Sequence, residues 1–221
     1  MIAIDLINKM IPPLKFSDKA SMALSWMEEL RVSHLPVVHD LHLQGFISEE
    51  MIFDANMADK EIGTFQLIGK ECFVSPDKHI YDVIRAGYQH KISMVAVEDQ
   101  FHKFLGVITM EDTVTAFAQS ISIQSQGGIM VLSMYLSDYS LHEISRLIEL
   151  ENAKILSSFI SSDPLDAEKI KLTLKINKLE LKHIKATLER FGYKVISQFE
   201  EESPITNEQD RLNLLMKYLN M

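Results

Sequence analysis

Hydrophobic and polar positions alternate with the same rhythm in two stretches of the chain. Ala20, Ala23, Leu24, Met27 and Leu30 recur at three-and-four spacing, while Lys19, Glu28, Glu29 and Arg31 fall off that face, which predicts an amphipathic helix. Ile80, Val83, Ile84 and Tyr88 form a second such stripe. Ser17 or Asp18 is the expected cap of the first helix and Asp77 that of the second. Each helix is followed by a short apolar run of strand type, residues 35–38 and 94–97, and an acidic turn at His39-Asp40 and Glu98-Asp99. A second run then enters through a glycine, Gly45-Phe46-Ile47-Ser48 and Gly106-Val107-Ile108-Thr109. Aligned on Asp18-Lys19 and Asp77-Lys78, the copies stand 59 residues apart, with a slip of two residues in the turn. Strand, helix, strand, turn, strand, helix is thus predicted twice, with residues 57–72 as the link. A copy of about 50–60 residues buries too little surface to stand alone, so the two should share an interface.

Beyond Gly127 and Gly128 the pattern changes. Residues 129–134 read as an apolar strand, and residues 140–151 as a helix with Leu141, Ile144, Leu147 and Ile148 on one face. Ser140 or Asp138 caps that helix, with Glu143 completing a capping box. A strand over 155–160, a turn at Asp163-Pro164-Leu165-Asp166 and an alternating strand over 170–176 follow. A helix over 179–191 carries Leu181, Ile184, Leu188 and Phe191 and ends at Gly192, before a last strand over 193–199. This order is the split βαβ arrangement of ferredoxin-like domains. A final amphipathic helix over 208–219 presents Leu212, Leu215, Met216 and Leu219 along one side. The expected division is 1–60 first repeat, 61–124 second repeat, 125–200 ferredoxin-like domain and 201–221 tail.

Charge narrows the function. The 22 basic residues against 31 acidic ones give −9, which argues against a nucleic-acid or anionic-membrane partner, since such binding depends on clustered cations. Residues 113–137 carry no charge, but Gln119, Ser120, Ser122, Gln124, Ser125, Gln126 and the glycine pair make them a helix end, a linker and a strand, not a membrane span. Lys169, Lys171, Lys175, Lys178, Lys182 and Lys185 read as a solvated face. Cys72 is the one cysteine, and the first residues lack a basic stretch followed by an apolar run, so a cytoplasmic protein is expected.

The run Met10-Ile11-Pro12-Pro13, the first helix, Ser33-His34-Leu35-Pro36-Val37-Val38 and Gly45-Phe46-Ile47-Ser48 is repeated as Phe73-Val74-Ser75-Pro76 through Gly106-Val107-Ile108-Thr109-Met110-Glu111-Asp112. In this the first half resembles a tandem of cystathionine-β-synthase (CBS) domains, which pack as a pseudo-twofold pair called a Bateman module. The second half resembles an ACT domain. The fold class implied is α+β, a CBS pair followed by a ferredoxin-like βαββαβ domain. That layout is similar to the family of acetoin-utilisation protein B.

The resemblance implies an adenosine compound, AMP, ADP, ATP or S-adenosylmethionine, in the CBS cleft. Gly106, Thr109 and Asp112 fit the family's ligand signature, with Thr109 at the phosphate and Asp112 accepting from the ribose hydroxyls. Phe73 and Val74, and Ile92 and Met94, would flank the adenine. Thr109 and Asp112 also make a good helix cap whether or not anything binds, and the two roles can coexist. In the first copy Ser48, His34 and Leu35 mark a degenerate second site, because Met51 stands where the aspartate would be. Val95 stands where the first copy has Pro36. His34, His39 and His42 straddle a strand and a turn without cysteines or spaced carboxylates, and no metal is expected. An ACT domain usually holds an amino acid at a glycine-bearing turn after its first strand. Here that turn is Leu136-Ser137-Asp138-Tyr139-Ser140, which leaves dimerisation as the alternative role. No catalytic motif is found: no G-x-S-x-G elbow, no phosphate loop ending in Lys-Ser/Thr and no H-E-x-x-H. The expected function is therefore a non-enzymatic sensor, a homodimer that signals a bound nucleotide to an output protein. The contrasting expectation is an oligomerisation scaffold with ligand-free clefts.

Overall fold

The structure is a computed structural model that describes residues 1–56, 58–119 and 121–200, together with Leu212, Leu215, Met216 and Leu219. The chain separates into two compact units, Met1–Ala118 and Gln119–Met221. It is an α+β protein, and no described helix is long and apolar enough to cross a membrane.

In the first unit, α1 (Ala20–Leu30), β1 (His34–His39), β2 (His42–Ser48) and α2 (Glu49–Ala55) form one copy. The other comprises β3 (Phe73–Val74), α3 (Ile80–His90), β4 (Met94–Glu98), β5 (Phe104–Thr109) and α4 (Met110–Ala118). β1 pairs with β2 and β4 with β5, both antiparallel, and β3 lies parallel to β4. The first copy has a reduced β3: Leu14 alone bridges Val37 in parallel, donating from its N–H to the Pro36 carbonyl.

The two copies superpose in sequence at an offset of 60 residues through helix and first strand, not 59. The left-handed residues that end the helices are Arg31 (φ 54°) and Lys91 (φ 55°), and the ladder kinks fall at Val37/Val38 and Val97/Glu98. The buried positions Ala20, Ala23, Leu35 and Val37 match Ile80, Val83, Val95 and Val97 in the same way. The Asp-Lys pairs that suggested 59 are not equivalent. Asp18 donates its N–H to the Lys15 carbonyl as Lys78 does to Ser75, which aligns Asp18 with Lys78. Residue identity misled, because several residue types close such a turn. One further residue in the second hairpin brings the offset to 61, so that Gly45 matches Gly106 and Ser48 matches Thr109. Pro36 therefore corresponds to Ala96, not Val95, and His34 to Met94.

Both expected helix caps are also corrected. Asp18 turns its carboxylate to the Lys15 N–H at 2.7 Å, and α1 starts after Lys19 without a side-chain cap. α3 is capped by His79, whose Nδ1 accepts from the Tyr81 N–H at 3.3 Å, so Asp77 is not the cap. Tyr88 is 83% exposed and lies off the apolar stripe.

Each copy receives the segment that precedes the other. Ile62 and Gly63 donate to the carbonyls of Asp18 and Phe16 in the first copy, while Ala3 and Ile4 donate to those of Lys78 and Pro76 in the second. Ile68 bridges Phe46 and Asn8 bridges Val107, each antiparallel. The boundary at residue 60 thus follows the chain and not the packing. One core joins both copies, including Leu35, Phe46, Ile47, Met94, Val107 and Ile108.

The second unit contains α5 (Ile121–Gln124), β6 (Gly128–Tyr135), α6 (Leu141–Leu150), β7 (Ile155–Asp163), β8 (Asp166–Ile176), α7 (Lys182–Arg190) and β9 (Lys194–Phe199). The sheet order is β7-β8-β6-β9 with every neighbour antiparallel, the ferredoxin-like topology. Met130, Leu132, Leu172 and Leu174 face a layer built from Ile144, Leu147, Ile148, Ile184 and Leu188. Lys171, Thr173 and Lys175 stay half-buried on the other face, as alternation requires. Ser140 caps α6 by accepting from the Glu143 N–H, and Gly192 takes φ 88° after α7. Of the expected tail helix only Leu212, Leu215, Met216 and Leu219 are described; all are helical and exposed, and the rest of it lies outside the described residues.

Candidate functional site

The strand-to-helix junction at β5 and α4 carries the densest polar geometry in the first unit. Thr109 ends β5 and is 7% exposed. Its Oγ1 accepts from the Asp112 N–H at 2.9 Å and donates to Asp112 Oδ2 at 2.7 Å, while its own N–H donates to the same oxygen at 2.9 Å. This reciprocal capping box satisfies two N–H groups at the start of the helix, those of Thr109 and Asp112. The cap reading of these two residues is thus met in full within the chain.

Ile92 and Met94 lie beside this junction. Met94 pairs with Thr109 in the ladder, and the Ser93 carbonyl accepts from the Met110 N–H at 2.9 Å. Both side chains are core residues, 3% and 0% exposed, so they offer a ligand little but main chain. Phe73 and Val74 stand apart. They pair with Ala96 and Val97, and Ala96 is two residues beyond Met94, about 7 Å along the strand. The expected set is therefore split, with Thr109, Asp112, Ile92 and Met94 together and Phe73 packed edge-on against the His102 ring.

One residue that sequence reasoning missed belongs to the junction. Asn8 Nδ2 lies 3.3 Å from Asp112 Oδ1 and 3.2 Å from Oδ2, reaching in from the segment that precedes the first copy. The run Leu6-Ile7-Asn8-Lys9 echoes Leu67-Ile68-Gly69-Lys70 in sequence, but the bridges equate Asn8 with Ile68, so the echo is out of register by one residue.

In the first copy Ser48 caps α2 by accepting from the Met51 N–H at 3.1 Å, and no carboxylate stands at Met51. His34 pairs with Ser48 in the ladder, and Leu35 is buried in the core. Ser33 and Ser93, equivalent at the offset of 60, meet with Oγ atoms 3.0 Å apart, which puts them on the pseudo-twofold axis relating the copies. His34 Nδ1 sits 2.9 Å from one hydroxyl and 3.0 Å from the other. Burial holds the His34 imidazole below its ordinary 6.5, opposed by Glu50. A groove of about 800 Å³ opens beside this trio, with Gly87, Tyr88, Lys91 and Met110 on its walls.

Other candidate chemistry is dispersed. Cys72 is fully buried and its thiol is pushed up to about 12, so it is not a reactive thiolate. His39 and His42 are exposed, and no group of ligating side chains that could hold a metal ion occurs among the described residues. In the second unit a cavity of about 850 Å³ includes Tyr135 and Asp138 from the turn after β6. Its Lys169 and Lys171 are already paired with Asp166 at 2.8 Å and Asp163 at 3.6 Å.

Part of the chain matches a known domain family. Residues 66–119 match the family model of the CBS domain. Among solved structures, the CBS domain pair/ACT domain protein of Thermotoga maritima is 17% identical over 55% of this chain and 99% of its own, with a TM-score of 0.48. CBSX2 from Arabidopsis thaliana, a CBS-pair protein, is 21% identical over 53% and 94%, TM-score 0.46; CBSX2 is also known in complex with AMP. The CBS domains of a transcriptional regulator from Streptococcus pneumoniae are 19% identical over 52% and 98%, TM-score 0.45. The CBS match thus covers the second copy, residues 66–119, and the first copy repeats its helix, ladder register and kinks.

Proposed function

We propose that this protein is a non-catalytic regulator whose CBS pair binds an adenosine compound at the second copy, with Asp112 receiving the ribose and Thr109 the phosphate. The observation that carries this reading is the carboxylate of Asp112, only half-buried and fixed at the junction of β5 and α4, where the CBS match runs. The first copy, with Met51 in that place, is the weaker site or an empty one. The ferredoxin-like unit is read as ACT-like, in the layout of acetoin-utilisation protein B. Two of its cavity lysines, Lys169 and Lys171, are paired with Asp166 and Asp163, which favours a role in dimerisation over capture of an amino acid. A cytoplasmic homodimer acting on an output protein follows from this reading. Signalling requires that the nucleotide prefer one arrangement of the pair, since equal affinity for both shifts nothing.

A specific observation favours the second reading, a scaffold with empty clefts: both oxygens of Asp112 already have donors inside the chain. Thermal-shift titration with AMP, ADP, ATP and S-adenosylmethionine, on the parent and on Asp112→Ala, separates the two. A ligand at about a hundred times its Kd adds roughly 2.7 kcal/mol, enough to raise the midpoint by several degrees. The sensor reading expects that rise with at least one compound and its loss in Asp112→Ala. No rise with any of them establishes the scaffold reading.

A further inference from the structure

We propose that Asn8 is a built-in competitor for the ribose acceptor, so that nucleotide binding at the second copy is gated by the segment ahead of the first. This rests on the nucleotide reading above and adds its regulation. Asp112 Oδ2 already takes three donors, the Thr109 N–H, the Thr109 hydroxyl and Asn8 Nδ2, whereas Oδ1 takes Asn8 alone at 3.3 Å. A ribose diol held by both oxygens needs one position on each, and Asn8 occupies that pair of positions. The bond from the Thr109 N–H and the one that Thr109 Oγ1 accepts from the Asp112 N–H belong to the helix cap and cannot be given up without leaving N–H groups unpaired at the start of α4. Asn8 is the donor that can leave.

The segment around Asn8 is held by main chain and not by that side chain. Asn8 N–H donates to the Val107 carbonyl at 2.8 Å, Ala3 donates to Lys78, and Ile7 lies over Gly106, where a Cβ would come within 2.5 Å of it. The Asn8 Oδ1 accepts from the Met10 N–H at 3.0 Å, which aims its amide at the carboxylate. The first copy provides an internal control. Where Met51 replaces the aspartate, the residue corresponding to Asn8 is Ile68, which bridges Phe46 as Asn8 bridges Val107, so carboxylate and amide are absent together. The competition therefore exists at one junction only, the one with a ribose acceptor.

Calorimetric titration of the full chain with AMP, ADP, ATP and S-adenosylmethionine tests the gate, comparing the parent with Asn8→Ala and Asn8→Ser. Serine keeps a hydroxyl that can serve the turn to Met10 but is too short to reach Asp112, and it stands in if alanine weakens the fold. Removing one competing hydrogen bond to a charged acceptor is expected to tighten binding about tenfold. The gain should vanish for 2′,3′-dideoxy forms of the same compound, which have no diol to compete. Unchanged affinity in both variants, with binding still lost in Asp112→Ala, overturns the gate and leaves the nucleotide reading standing. An equal gain for the dideoxy forms also overturns it, because the side chain would then act on something other than the diol. No binding of any compound to parent or variants overturns the nucleotide reading and the gate together.

Discussion

A half-buried imidazole flanked by two hydroxyls is sensitive to pH in a definite direction. His34 is held neutral by burial, with its Nδ1 at 2.9 and 3.0 Å from Ser33 and Ser93, and the Glu50 carboxylate only partly offsets that burial. Its proton affinity is lower folded than unfolded, so below the ordinary value of 6.5 the unfolded chain binds more protons. The folded state accordingly loses stability as the pH falls through that value, down to the lowered folded one. Urea unfolding at pH 7 and pH 5 should give a larger drop for the parent than for His34→Gln. An equal drop in both proteins would mean that His34 does not titrate across the axis. The histidine was readable as a candidate residue, but the pairing of Ser33 with Ser93 beside it follows from the twofold packing of copies 60 residues apart.

Helices and strands follow from periodicity, and their ends from local backbone chemistry. The stripes of α1, α3, α6 and α7 were legible because three-and-four spacing of apolar residues is what burial of one helix face demands. Caps were less so. Ser140 is the N-cap of α6 as its capping box implies, yet Asp18 and Asp77 are not caps, because an aspartate closes a turn as readily as it caps a helix. Among C-terminal ends, that of α7 was visible in Gly192, but those of α1 and α3 were not. Arg31 and Lys91 adopt left-handed conformations that normally attract glycine, so their residue types give no signal. Arg31→Gly should relieve the Cβ strain and stabilise the first unit by up to about 1 kcal/mol, less the added freedom of the unfolded chain. Chemical denaturation of the two proteins measures the difference. A loss of stability would show that the arginine side chain contributes more than its backbone costs.

Across the whole molecule, two hydrophobic cores hold two units. The core of Met1–Ala118 spans both copies of the repeat, and that of the second unit shares no residue with it. Leu172→Ala, at a fully buried position in the ferredoxin-like sheet, should cost about 2–5 kcal/mol through lost burial and the cavity left behind. Hydrogen exchange followed by mass spectrometry should then show faster exchange in β6, β8 and α6, with α1, α3, β4 and β5 unchanged. Equal acceleration in the first unit would show that the two unfold as one cooperative body.

What the sequence determined by itself is the repeat, the order of elements and the paired chemistry of Thr109 and Asp112. Those depend on spacing along the chain, and spacing of three or four residues fixes which groups share a helix turn. Only the tertiary structure decided the rest. It set the true offset of 60 between helices, which rests on where turns close and not on residue identity. It moved Phe73 and Val74 two ladder rungs away from Met94, a distance set by parallel pairing that no local pattern encodes. It also brought Asn8 to Asp112 across 104 residues, because each copy is completed by the segment that precedes the other. Contacts of that range depend on the packing of two similar halves about a common axis, and either half read alone is silent about them.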